Sequence, residues 1–151
     1  RDFCLSRGLG DVYKRQNTEC GIFGVLPQEN RPEAVGEAIP VARRTEVRTG
    51  KAVILANCRG DEVCAYEIEI EKLYGGSAPT RNLLLRVTDP ALIALTGGIV
   101  QGMSGSPIVQ DGKLVGAVTH VLLDDPQRGY GILAENMLSA SGMTAQSAAS
   151  A

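Results

Sequence analysis

Residues 102–107 read Gly102-Met103-Ser104-Gly105-Ser106-Pro107, between Gly97-Gly98-Ile99-Val100-Gln101 and Ile108-Val109-Gln110-Asp111-Gly112. These residue types suit acyl transfer. A serine attacks a carbonyl only when its hydroxyl is exposed beside a base, with backbone N–H groups aimed at the developing oxyanion. Glycines around Ser104 remove Cβ atoms that would block the substrate and permit a tight backbone path. The pattern makes Ser104 the candidate nucleophile, with the amides of Gly102 and Ser104 as oxyanion donors. Ser106 is its rival, although Pro107 after it suggests a turn residue whose hydroxyl bonds locally. Taken alone, the hexapeptide also reads as a Gly/Ser-rich turn between two strands.

The next segment raises the odds of chemistry. Asp111-Gly112 is a hairpin signal joining Pro107-Ile108-Val109-Gln110 to a second strand over residues 113–121. Strict alternation along that strand sets Leu114, Gly116, Val118 and His120 on one face, and Val115, Ala117, Thr119 and Val121 on the other. His120 is the only histidine of the chain.

Residues 97–121, followed by Asp125-Pro126 and Gly129-Tyr130-Gly131-Ile132, resemble the peptidase domain of the SpoIVB sporulation serine peptidases. Upstream, Cys20-Gly21-Ile22-Phe23-Gly24, Asp61-Glu62-Val63 and Val87-Thr88-Asp89 fall where that family has similar segments, so the resemblance runs from about residue 17 to 142. It implies a mostly β fold: an antiparallel barrel like the C-terminal barrel of a chymotrypsin-like peptidase, with a short C-terminal helix. It implies an endopeptidase exported into the forespore intermembrane space of an endospore-forming bacterium. There it would cleave a membrane-anchored regulator of an intramembrane protease and so trigger late sigma-factor activation. A membrane anchor and a PDZ domain are expected upstream in the intact protein.

For the site, the resemblance implies Ser104 as nucleophile and Asp89 as the acid of a Ser/His/Asp set. Val118, Thr119 and His120 would line the substrate cleft, because the base in such enzymes comes from the first barrel and the family's histidine lies farther upstream. The residues offer a second role for Asp89: ahead of Pro90-Ala91-Leu92 it is a helix N-cap with proline at the first helical position. Another class remains open for the chain, a non-catalytic barrel that binds extended peptide along the 114–121 strand edge.

Bulk properties fit one globular domain. The chain has 151 residues, 44% hydrophobic, with a net charge of −2. Its 18 glycines favour turns and strands. With no basic stripe, nucleic acid is not an expected partner, and no apolar run approaches the ~20 residues of a membrane helix. No cofactor is called for. Cys20, Cys58 and Cys64 lack zinc spacing and read as free thiols, a Cys58–Cys64 bridge being the alternative. Asp124-Asp125-Pro126 reads as a turn, not a metal site.

The first sixteen residues lack an initiating Met and match nothing in the family. They read as a non-native flank, which makes the chain a truncated gene product lacking its general base. After them, strands are expected at residues 21–26, 52–56, 64–70 and 83–87, with extended chain at 39–48. Residues 27–32 and 75–79 are expected as loops, and residues 57–61 as a turn. A helix is expected at 89–95 and another at 137–143, before a flexible tail over 143–151. Cys64, Tyr66, Ile68 and Ile70 alternate with Ala65, Glu67, Glu69 and Glu71, whose three glutamates suggest a solvated face.

Overall fold

Alternation of apolar and polar residues decides which way each strand faces. The computed structural model describes residues 14–25, 38–59, 62–75 and 79–142, divided into two compact units between Ala38 and Ile39. In the first unit, β1 (Lys14–Thr18) pairs antiparallel with β2 (Gly21–Val25). The expected boundary at residue 16 therefore falls inside a strand. The loop expected at 27–32 and the tail at 143–151 lie outside the described residues.

The second unit is the barrel. Along β3 (Gly50–Arg59) Ala52, Ile54 and Ala56 are buried, and along β4 (Glu62–Leu73) Tyr66, Ile68 and Ile70. The exposed residues between them on β4 include Glu67 and Glu69. β5 (Leu83–Val87) buries Leu83, Leu85 and Val87. A short helix, α1 (Pro90–Thr96), follows. Then come β6 (Pro107–Gln110), β7 (Lys113–Leu122), β8 (Asp125–Leu133) and α2 (Ala134–Ala140). The strands close in the order β3-β4-β5-β8-β7-β6, every neighbour antiparallel. The mostly β barrel with a short C-terminal helix is thus the observed architecture. Its centre is filled by Ile54, Ile68, Ile70, Leu83, Leu85 and Ile108, each with essentially no exposed surface. Full burial of such side chains is worth about 1.5–3 kcal/mol apiece before entropy is counted.

Several local expectations are corrected. Residues 39–48 are not extended throughout: Val41 bridges Leu114 in parallel, and Arg44–Glu46 forms a 3-10 turn. β3 continues through Asn57 and Cys58 instead of turning there. β8 begins at Asp125, where a turn was expected, and α2 starts three residues before the expected helix. Glu71 is not simply solvated. It bonds the guanidiniums of Arg86 (2.5 Å) and Arg128 (2.5 Å), which join β4 to β5 and β8. Burial alone would raise the Glu71 carboxyl, but the two arginines outweigh it and hold it below its usual value. Cys20, Cys58 and Cys64 are free thiols, so no Cys58–Cys64 bridge is present.

Two buried polar side chains fasten the barrel's ends. The Gln110 amide accepts from Arg48 N–H and donates to the carbonyls of Arg48 and Lys51. Asn82 is 1% exposed. Its Oδ1 accepts from Leu133 N–H (3.0 Å) and from Asn136 Nδ2 (2.9 Å), tying β5 to the β8–α2 corner. Asn82→Ala should therefore cost about 1–3 kcal/mol, the penalty for leaving a buried N–H without its acceptor. Urea denaturation measures it, and a loss under about 0.5 kcal/mol would show that the corner does not depend on Asn82.

Candidate active site

Ser104 stands at the apex of two consecutive turns. Met103 N–H donates to Val100 O (3.1 Å), and Ser106 N–H donates to Met103 O (3.0 Å). The third residue of each turn is glycine, Gly102 with φ of 103° and Gly105 with φ of 95°. That backbone sign is what a type II turn demands at its third position, and it strains any side chain placed there. Met103, at the junction, is buried, and its Sδ accepts from Val100 N–H. The nucleophile loop is rigid because its corner residue is part of the core.

The loop is fastened directly to β7. Gly105 N–H donates to Val118 O (2.8 Å), and Val118 N–H donates to Ser106 O (3.0 Å). The Ser104 hydroxyl donates to Thr119 O (3.0 Å). Ser104 and Gly102 are both exposed. Among the described residues their N–H groups have no acceptor, so both remain available to an incoming oxygen. The expected local bond of the Ser106 hydroxyl is not found among the described residues; the Ser106 backbone does the holding instead.

Strict alternation fails along β7, where residues 115–118 are buried on both faces and bulges at Val115, against β6, and at Thr119, against β8, break the register. A bulge lies between Val118 and His120, which pair with Gly131 and Tyr130. Thr119 is the extra residue, and its hydroxyl bonds the carbonyls of Thr80 and Tyr130. Before the bulge, Val115, Gly116, Ala117 and Val118 are all buried. The two expected faces of residues 114–121 therefore do not separate. Val118 lies in the core with its amide and carbonyl committed to the serine loop, which corrects its expected place in the cleft. Thr119 O and the exposed His120 remain beside Ser104. Among the described residues, no hydrogen bond joins His120 to Ser104. The 114–121 edge is not free either: residues 113–117 pair with β6, and Leu114 also bonds Pro40 and Ala42. That removes most of the edge on which peptide binding by strand addition would depend.

Asp89 caps α1. Its Oδ1 accepts from Ala91 N–H (2.8 Å) and Leu92 N–H (3.1 Å), and its Oδ2 accepts from Glu67 N–H (3.1 Å). The bond from Glu67, with those from the helix, holds its carboxyl below the usual value against the opposing effect of burial. None of these partners belongs to the serine loop.

The match to a family model, described as SpoIVB peptidase S55, covers residues 5–138, and so takes in most of the first sixteen residues, which were expected to match nothing in the family. The chain belongs to that family. This SpoIVB-family chain is also similar to two solved structures. One is the active form of the Rv3671c protease from M. tuberculosis, 24% identical, covering 82% of this chain and 54% of that one at a TM-score of 0.49. The other is the inactive form of the Rv3671c protease, 23% identical, covering 81% and 61% at the same TM-score. The chain thus spans little more than half the length of those structures. No curated protein matches it. The matched family is described as one of peptidases. No described helix is long and apolar enough to cross a membrane.

What sequence reasoning missed is the wall beside the serine. Ile99 N–H donates to Pro126 O (2.8 Å), joining the loop before Ser104 to the start of β8. No periodicity announces that contact.

The Asp89 geometry carries a stability prediction. Asparagine would still cap α1, but its amide would set an N–H against Glu67 N–H or against the helix. Asp89→Asn should lower stability by about 1–2 kcal/mol, the scale of a bond to a charged acceptor. Because the folded carboxyl titrates below its unfolded value, the stability it adds is present above about pH 4 and is lost as pH falls through the folded value. Denaturation from pH 6 to pH 2.5 should show a shallower loss in Asp89→Asn than in the wild type, and parallel curves would contradict the assignment.

Proposed function

We propose that this chain is the nucleophile-bearing part of a SpoIVB-type serine endopeptidase. One observation carries the reading: in a chain of this family, Ser104 is exposed at a rigid double turn beside two unengaged amides. In this mechanism a base removes the Ser104 proton as Oγ attacks the scissile carbonyl, and returns it to the leaving amine as the peptide C–N bond breaks. The amides of Gly102 and Ser104 hold the oxyanion, and the acyl-enzyme is then hydrolysed. Thr119 O, which accepts the resting hydroxyl, cannot take its proton, so a separate base is needed, and the family resemblance implies a histidine. His120 is exposed and unbonded to Ser104, and the family resemblance supplies the base from a segment outside this chain. Asp89 keeps its place as the orienting acid on that resemblance alone, in addition to its cap.

The substrate on this reading is a membrane-anchored regulatory protein whose cleavage releases an intramembrane protease and activates a late sigma factor. The setting is the forespore intermembrane space, with a PDZ domain and a membrane anchor in the intact protein. The fold of the double turn favours this over a non-catalytic binding module, whose required strand edge is occupied.

Two measurements test the proposal. In the full-length gene product, Ser104→Ala should abolish peptide cleavage, while Ser106→Ala should leave a measurable part of it. Equal loss in both, with circular dichroism unchanged, would remove the case for Ser104. The 151-residue chain by itself should show no turnover, and His120→Ala should not alter that. Hydrolysis by the chain that His120→Ala abolishes would make His120 the base.

A further inference from the structure

On the peptidase reading, a substrate carbonyl attacked by Ser104 Oγ with its oxygen towards the amides of Gly102 and Ser104 would lie beside Thr119, whose carbonyl accepts the Ser104 hydroxyl. The side chain on that acyl residue would then face the backbone on either side of that point. One wall is the segment leading into the serine loop, residues 98–101. The other is β7 at residues 119–121, backed by the start of β8. In this protein the two walls touch. Ile99 N–H bonds Pro126 O (2.8 Å), and a Cβ added to Gly98 would lie only 2.3 Å from Pro126 O. Backbone meets backbone there, without room for a side chain between.

The remaining gap holds Ile99 itself. It is 4% exposed. A Cβ built on Gly129 would meet Ile99 Cδ1 at 2.7 Å and His120 O at 2.6 Å. The isoleucine therefore lies between the β7 backbone at His120 and β8 at Gly129, one residue along from the Thr119 carbonyl that accepts the Ser104 hydroxyl. Nor do nearby charges offer a partner to a long cationic or anionic substrate chain. Arg128 is engaged by Glu71, and Asp125 caps Gln127 N–H.

We propose that Ile99 sets the specificity of this site by occupying the place of the substrate side chain on the acyl side of the cleaved bond, so that only a small uncharged residue such as glycine, alanine or serine fits there. The inference rests on the peptidase reading given above and names its substrate class. Each methylene that a tight pocket admits or excludes changes kcat/KM by about 10–200-fold. Removing three carbons from Ile99 is therefore a large opening.

The experiment uses the full-length gene product and a peptide series that varies only the residue before the cleaved bond: alanine, valine, leucine, phenylalanine and lysine. The wild type should favour alanine over leucine, phenylalanine and lysine by about 100-fold or more in kcat/KM. Ile99→Ala should raise kcat/KM for leucine by at least about 10-fold while changing that for alanine less. Ile99→Val, which keeps a β-branched filler if the alanine variant fails to fold, should shift the preference in the same direction by a smaller factor. Activity that depends on Ser104 but accepts phenylalanine or lysine as well as alanine would overturn the role of Ile99 and leave the peptidase reading standing. An unchanged preference in both folded variants would do the same. Activity unaffected by Ser104→Ala, or no cleavage of any peptide, would overturn both.

Discussion

The fold around the nucleophile depends on one backbone link, the pair of hydrogen bonds between Val118 and the residues after Ser104. Val118 accepts from Gly105 and donates to Ser106, which carries the β6–β7 ladder past the end of the short strand and up to the serine. Such bonds contribute about 1 kcal/mol each, but their larger effect is geometric. With Val118 in the core and Met103 buried on the other side, the apex between them has little freedom. The hydroxyl is exposed while its backbone is fixed as firmly as a barrel strand. Preorganisation of this kind is what makes oxyanion stabilisation effective, since the donors need not reorganise when charge develops.

Polar groups in this domain divide into those that hold elements and those left open. Asn82 and Gln110 satisfy buried amides at the two ends of the barrel. Glu71 bonds two arginines across three strands. The three backbone N–H groups on Asp89 make it a structural anchor for β4 and α1 at once. A carboxylate so placed is stabilised in its charged form, and that charge is compatible with a second electrostatic role. By contrast, the Gly102 and Ser104 amides are unsatisfied at the surface, where water or a substrate oxygen can take them at no folding cost. The difference in satisfaction separates scaffold from candidate chemistry more sharply than residue type does.

Legibility in the sequence followed physical simplicity. β4 and β5 alternate cleanly because one face of each looks into the barrel, and the Asp111-Gly112 hairpin declares itself because its turn needs two positive φ angles, 51° and 73° here. Asp89-Pro90 marked the start of α1 correctly. β8 was hidden because Pro126, Gly129 and Gly131 look like turn residues. Two of them are glycine because neighbouring backbone and side chains come within reach of any Cβ, a tertiary reason invisible along the chain. The faces of β7 were misread because residues 115–118 are buried on both faces and bulges at Val115 and Thr119 break the register. The serine loop was legible as chemistry, since its glycines serve local turns. Its closure against Ile99 was not, since that depends on a strand 27 residues downstream.

The bulge at Thr119 also gives the Ser104 hydroxyl a resting partner within the barrel. Thr119 is the residue that the register skips, and its carbonyl takes the Ser104 hydroxyl while its side chain is held by Thr80 and Tyr130. The hydroxyl thus has a good acceptor in the resting loop, one that cannot be protonated. Any base that takes the Ser104 proton must compete with a single neutral hydrogen bond, a contest of about 1 kcal/mol. Rotation about one side-chain bond would then transfer the proton donor from carbonyl to base without disturbing the two turns or the Val118 link. The exposed hydroxyl, the two open amides and the Ile99 contact with β8 thus all belong to one barrel, and each is held by backbone bonds that a turn of the Ser104 side chain leaves in place.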